Sequence, residues 1–168
     1  MNPEQRVAKP DYDVRVKPSV LDRLLDSDPG SPRDPIPGRA ESVRNLKAAV
    51  QRDLEELLNT RSSLPALPDG FVEVSRSVWA YGLPDFSNVN VASAPGRAQL
   101  QELIEGAVRH FEPRLTGVAV TVMPREPGER TLRFRVDAKL ILHPSPEPVS
   151  FNMVMQLNNQ EYQVKDIE

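Results

Sequence analysis

Leu132-Arg-Phe-Arg-Val-Asp-Ala-Lys-Leu140 alternates apolar with polar residues at every step, and Leu142 keeps the phase. Successive side chains of a strand point to opposite faces. The run therefore has one apolar face and one wet face, the latter carrying Arg133, Arg135, Asp137 and Lys139. Upstream, Val118, Val120 and Val122 alternate with Ala119, Thr121 and Met123, and Pro124-Arg-Glu-Pro-Gly-Glu129 separates the two runs. Downstream of Pro144, Pro146 and Pro148, a third run places Val149, Phe151, Met153, Met155 and Leu157 on one face. Asn158-Asn159 suits a tight turn because asparagine tolerates positive φ, and Tyr162 and Val164 continue as a short last strand. One buried and one solvated face is the pattern of an antiparallel meander.

The period upstream is different. Val43, Leu46, Val50, Leu54, Leu57 and Leu58 form a helical stripe over residues 39–60. Arg44, Lys47, Arg52, Asp53, Glu55 and Glu56 lie off the stripe and read as a solvated mixed-charge face. Leu100, Leu103, Ile104, Ala107, Val108 and Phe111 predict a second helix. Ser93 or Ala94 stands at its start before Pro95, and Pro113 ends it by disfavouring helical geometry at Glu112. Between the helices, residues 61–92 read as loop broken by Pro65, Pro68 and Pro84. Phe71-Val-Glu-Val74 fits a short strand, and Ser77-Val-Trp-Ala-Tyr-Gly82 fits a helical turn that buries the only tryptophan; pattern alone settles neither. Helices first and strands after give an α+β fold, with the helices packed on one face of a C-terminal antiparallel sheet of three to four strands.

Seven of the 17 prolines fall within the first 37 residues. Residues 1–38 therefore read as a proline-rich arm, and the bland reading of such an arm is a floppy terminus. Its one apolar cluster, Ser19-Val-Leu-Asp-Arg-Leu-Leu25, predicts a helical turn or two, capped by Ser19 with Asp22 three residues on. Residues 39–168 then form a single domain. The whole chain has 168 residues, 39% of them hydrophobic, which suffices for a core without a metal or disulfide. With no cysteine, disulfides, thiolate zinc sites and cysteine nucleophiles are excluded, and two histidines make an all-histidine metal site a poor expectation. A net charge of -3 argues against a dedicated nucleic-acid surface, and no apolar run is long enough to span a bilayer. Met1-Asn-Pro-Glu-Gln-Arg has no apolar h-region, so a cytoplasmic location is expected.

No GxSxG, HExxH, P-loop or GxGxxG motif is present, and no cofactor is expected. Arg109 and His110 at a helix C-terminus are explained by relief of its dipole, and His143 sits beside Pro144 in a loop. Among 24 acidic residues some carboxylate pair can always be nominated, so acids alone single out no glycosidase. The unusual feature is Phe111-Glu-Pro-Arg-Leu115. A carboxylate at the negative end of a helix is electrostatically disfavoured, and Pro113 stiffens the backbone that projects Glu112 and Arg114. The plain reading is a helix stop with an exposed ion pair, worth about 0–1 kcal/mol. The functional reading is a preorganised acidic–basic pair aimed at another chain, in which case truncating Arg114 harms assembly far more than folding.

Pro18-Ser-Val-Leu-Asp-Arg-Leu-Leu25, Ser42-Val-Arg44 leading to Asp53-Leu-Glu-Glu-Leu-Leu-Asn-Thr-Arg61, Tyr81-Gly-Leu-Pro-Asp-Phe86 and Phe111-Glu-Pro-Arg-Leu115 occur in that order. Together they resemble the TssE family of type VI secretion system baseplate subunits, related to the lysozyme-like wedge protein of contractile phage tail baseplates. The resemblance runs from about Pro18 to the C-terminus. It implies a structural, non-enzymatic subunit that contacts the other wedge subunits, links wedge to contractile sheath and helps start sheath assembly. The location it implies is cytoplasmic, at the inner-membrane-docked apparatus and without direct membrane insertion. It implies that Glu112, Pro113 and Arg114 bind a partner, and that the sheet is extended by strand exchange with sheath proteins. The expected sites for that exchange are Val149, Phe151, Tyr162 and Val164 on the last strands.

Two other classes compete. The lysozyme-like label suggests a peptidoglycan hydrolase, which needs a cleft with two carboxylates about 5–9.5 Å apart. A regulatory anti-adaptor with a similar fold is the third reading, separated from the first by assembly with baseplate proteins. Arg133, Arg135 and Lys139 lack interleaved aromatics and surround Asp137, so they read as a solvated sheet face rather than a nucleic-acid site.

Overall fold

The computed structural model of the chain describes residues 18–25, 30, 38–62, 70–123, 128–158 and 160–167. Most of the expected arm, and Asn159 of the expected turn, lie outside the described residues. The chain divides into two compact units, Met1–Leu46 and Lys47–Glu168, with the division inside α2 (Arg39–Asn59).

In the first unit, α1 (Val20–Leu24) forms at the apolar cluster. Ser19 Oγ accepts from the Asp22 amide at 3.1 Å, and Asp22 Oδ2 accepts from the Ser19 amide at 3.2 Å, a reciprocal capping box. The first turn of α2 is closed by Ser42, a buried residue whose Oγ donates to Gly38 O at 2.9 Å.

In the second unit, α2 buries Val50, Leu54, Leu57 and Leu58, the stripe that the sequence shows. α4 (Ala94–Phe111) starts at the N-cap Ser93, whose Oγ accepts from the Gly96 amide at 3.1 Å, with Pro95 in the first turn. Glycine is required at position 96, because a Cβ there would stand 2.0 Å from Asn90 O. α4 buries Leu100, Ile104, Ala107 and Val108 and lies against β1.

The segment between the helices departs from both sequence readings. Val72–Ser75 is one helical turn, α3, rather than a strand. Val78–Ala80 is a 3-10 turn as expected, but it leaves Trp79 70% and Val78 85% exposed. The reason is local. The buried anchors of this segment are Leu83 and Phe86, at 0% and 2% exposure, so the tryptophan is not needed to fix it. Leu83 bridges to Arg61, its N–H donating to Thr60 O at 2.9 Å while Ser62 N–H donates to Leu83 O at 2.9 Å. Gly82 lies so close to this crossing that a Cβ would stand 2.5 Å from Thr60 O.

The sheet is a four-stranded antiparallel meander in sequence order: β1 (Leu115–Val122), β2 (Thr131–Leu140), β3 (Glu147–Gln156) and β4 (Tyr162–Ile167). This is the expected α+β arrangement. Phe134 faces Val122 on one side and Met153 on the other, so the three alternating runs share one apolar face. Leu132, Phe134, Val136, Phe151, Met153, Met155 and Tyr162 on that face are almost fully buried. A register shift between Thr116 and Ala119 accommodates Gly117 at φ +62°, after which Val118 and Val120 return to the core. Pro148 lies inside β3 rather than before it. The Leu157 amide donates to Arg130 O, so by alternation position 148 needs no bond to β2, and proline's missing donor costs no ladder bond there. No helix among the described residues is long and apolar enough to cross a membrane.

Candidate functional site

Phe111-Glu-Pro-Arg-Leu115 forms the corner between α4 and β1. Glu112 is the C-cap residue, its amide donating to Val108 O at 3.0 Å, and it is only 3% exposed. A carboxylate buried at the negative end of a helix needs a cation, and the sequence supplies one two residues on. Arg114 Nε donates to Glu112 Oε1 at 2.7 Å, and Nη2 donates to Glu112 Oε2, a side-on fork. Nη2 also donates to Asp53 Oδ2 of α2 at 2.6 Å, and Asp53 Oδ1 accepts from Arg52 Nη2 at 2.7 Å. The result is an ionic chain Arg52–Asp53–Arg114–Glu112 that ties α2 to the corner. The hydrogen bonds to Glu112 raise the Arg114 guanidinium above its ordinary value, against the opposing effect of burial, and Asp53 adds to the rise. Tyr81 stands edge-on to Phe111, ring centroids 5.4 Å apart. Its hydroxyl is pushed up first by burial and then by the negative charges of Glu56, Asp53 and Glu112.

The pair is therefore not the exposed ion pair of the plain reading, and most of its fork points inward. What the corner presents outward is the exposed Pro113 and the part of Arg114 that is not engaged. The bonds of the guanidinium to Glu112 and Asp53 run from Nε and Nη2, so Nη1 takes no part in them. Both Glu112 oxygens accept from Arg114. No group of three or more His, Asp or Glu among the described residues could hold a metal ion.

The other expected site residues lie on the sheet and face inward. Val149, Phe151, Tyr162 and Val164 are 2%, 0%, 0% and 7% exposed, so their side chains belong to the core. What they offer a partner is backbone, and it differs between strands. β3 is paired on both sides, to β2 and to β4, whereas β4 is a margin of the sheet. The Tyr162 amide donates to Asn59 Oδ1 at 2.8 Å, and Asn59 Nδ2 donates to Tyr162 O at 2.9 Å. The Val164 amide donates to Glu55 Oε2 at 3.2 Å, and Gln51 Nε2 donates to Val164 O at 3.1 Å. Glu55, read from the sequence as part of a solvated face, thus holds the last strand. Sequence reasoning missed Gln51, and it quoted Asn59 within a motif without giving it a role. The available signal was their spacing, since positions 51, 55 and 59 place a polar residue on one line of the helix beside the apolar stripe.

The remaining candidates are structural. Arg109 pairs with Glu105 one turn earlier, and the His110 ring stands edge-on to Phe111 at 4.7 Å. On the wet face of the sheet Arg135 Nε donates to Asp137 Oδ1 at 3.0 Å and Arg133 pairs with Glu129 at 2.5 Å. Arg61, from the α2 motif, lies 4.6 Å over the Phe86 ring.

The family model of the baseplate wedge protein gp25 matches residues 44–145, which takes in α2 from Arg44 onward, the corner and the first two strands. Among solved structures, a chain of the baseplate complex from the type VI secretion system is 23% identical. That match covers 67% of this chain and 96% of that chain, with a TM-score of 0.45. A structure described as Rd1NTF2_05 with long sheet is 11% identical over 76% of this chain and 92% of that chain, with a TM-score of 0.28. No curated protein matches the chain.

Proposed function

Because the chain belongs to the baseplate wedge protein gp25 family, we propose that it is a structural subunit of a type VI secretion baseplate, linking the wedge to the contractile sheath and helping to start sheath assembly. The observation that carries this reading is the family match over residues 44–145, which spans the ion-paired corner. In this reading residues 39–168 are the wedge domain, residues 1–38 are an arm, and the protein works without enzymatic activity. It acts in the cytoplasm, docked to the inner-membrane apparatus through its partners.

Partner contact at the corner uses Pro113 and the N–H groups of Arg114 Nη1, while Glu112 and Asp53 hold the guanidinium in place. A guanidinium fixed by two carboxylates is preorganised for a further acceptor, and lysine does not reproduce that geometry. The sheet contributes at its C-terminal margin by strand exchange through the backbone of β4, since the Val149, Phe151, Tyr162 and Val164 side chains are in the core. The test is co-purification of the tagged chain with the wedge and sheath proteins of the same cell, for wild type and Arg114→Lys. Recovery of both partners by wild type, with wedge recovery reduced in a folded Arg114→Lys variant, is expected. Failure of the folded wild-type chain to recover either partner would overturn the reading.

A further inference from the structure

The margin of a sheet carries backbone donors and acceptors that another strand can pair with, and proteins cover or interrupt such margins. In β4 the alternation is unambiguous. The Gln156 amide donates to Glu161 O and Val154 pairs with Gln163, so the backbone groups of Tyr162 and Val164 point away from β3. All of these outward groups are bonded to side chains of α2. Asn59 acts on Tyr162 as an opposing peptide group would, giving one donor and one acceptor. Gln51 supplies the donor and Glu55 the acceptor for Val164.

The fit follows from two repeats. Four residues of α-helix advance about 6 Å, and two residues of strand advance about 6.4–6.8 Å. A helix running antiparallel to the strand can therefore match every second residue with one side chain per four positions, as Glu55 matches Val164 and Asn59 matches Tyr162.

We propose that Gln51, Glu55 and Asn59 form a latch that closes the β4 margin, so that a strand from another chain pairs with Tyr162 and Val164 only after displacing these three side chains. The proposal rests on the strand-exchange reading of β4 given above and adds its regulation. The unassembled subunit is protected from indiscriminate edge pairing, and a sheath segment must compete with α2 for the same donors and acceptors.

The test is residue-resolved amide hydrogen exchange of the full chain, paired with measurement of sheath-protein binding. Asn59→Ala is expected to speed exchange at Tyr162 by about tenfold or more, and Glu55→Ala to do so at Val164, while the amides joining β2 to β3 keep their wild-type protection. Glu55→Gln retains an acceptor and is expected to keep Val164 protected. If Asn59→Ala fails to fold, Asn59→Ser, whose shorter side chain does not reach the Tyr162 amide, takes its place with the same expected rise in exchange. Opening the latch is expected to tighten sheath binding several-fold. Unchanged exchange at Tyr162 and Val164 in both alanine variants would overturn the latch, whatever the binding does. Faster exchange without any sheath binding, by wild type or variants, would overturn the strand-exchange reading instead.

Discussion

At the corner between α4 and β1, α2 meets a distant segment through charge, Asp53 on Arg114. At the β4 margin it meets another through neutral amides, one carboxylate and backbone. Both contacts join parts of the chain far apart in sequence, but they differ in what happens when one partner is lost. The corner contains a carboxylate with almost no access to water, so removing its cation strands a buried charge. The margin contains polar groups at the sheet's border, where water can replace a missing side chain. A buried charge makes the corner intolerant of change, and access to water makes the margin exchangeable.

The contrast is broken most directly at Arg114. Arg114→Ala is expected to lower unfolding free energy by about 2–4 kcal/mol, because Glu112 loses both guanidinium bonds and keeps only the backbone amide of residue 114, and chemical denaturation checks this. That is more than the sequence reading allows, since it places nearly the whole effect in assembly. A loss under about 0.5 kcal/mol would show that Glu112 finds another partner. Asn59→Ala removes two bonds at the margin and is expected to cost about 1–2 kcal/mol by the same measurement. A larger loss than at Arg114 would reverse the comparison.

Tyr162 sharpens it from inside the core. Its hydroxyl is buried with no hydrogen-bond partner among the described residues, and burial pushes its proton affinity up. Tyr162→Phe removes the stranded group and keeps the ring, so thermal unfolding is expected to show no loss, or a gain of up to about 1 kcal/mol. The smallest effect lies on the wet face. The Ser150 hydroxyl, donating at 2.5 Å, is the main cause that lowers the Asp137 carboxyl below its ordinary 3.8, with Arg135 adding to it. A lowered folded value stabilises the fold above the unfolded value, and that contribution fades as pH falls through the folded one. Ser150→Ala is therefore expected to narrow slightly the stability difference between pH 7 and the acid limb, measured by denaturant midpoints.

Periodicity made the fold legible. Alternation over 132–142 and the stripe from Val43 to Leu58 depend on which face is buried, and a packed core enforces that choice residue by residue. The segment 71–80 was less legible, because short apolar runs suit strand and helix alike and Trp79 is not used to fill the core. The corner was legible as a motif but not as a geometry. Nothing in Phe111-Glu-Pro-Arg-Leu115 tells that Asp53, 61 residues away, shares the same guanidinium. The latch was hidden for a different reason. Its residues bind backbone, which every residue possesses, so Gln51, Glu55 and Asn59 leave no complementary pattern in the strand they hold.

The bond between Asn59 and Tyr162 joins residues 103 apart, whereas each hairpin of the meander joins strands adjacent in sequence. Closing a long loop costs more chain entropy than closing a short one, so the hairpins form ahead of that closure. The fastening of the last strand to the helix is therefore expected late on the path to the native state. Interactions formed late govern how fast a protein comes apart more than how fast it assembles, so Asn59→Ala should raise the unfolding limb's rates in stopped-flow kinetics at unchanged slope while leaving the folding limb in place. Faster unfolding of that variant would make the polar line along α2 a determinant of the lifetime of the folded subunit.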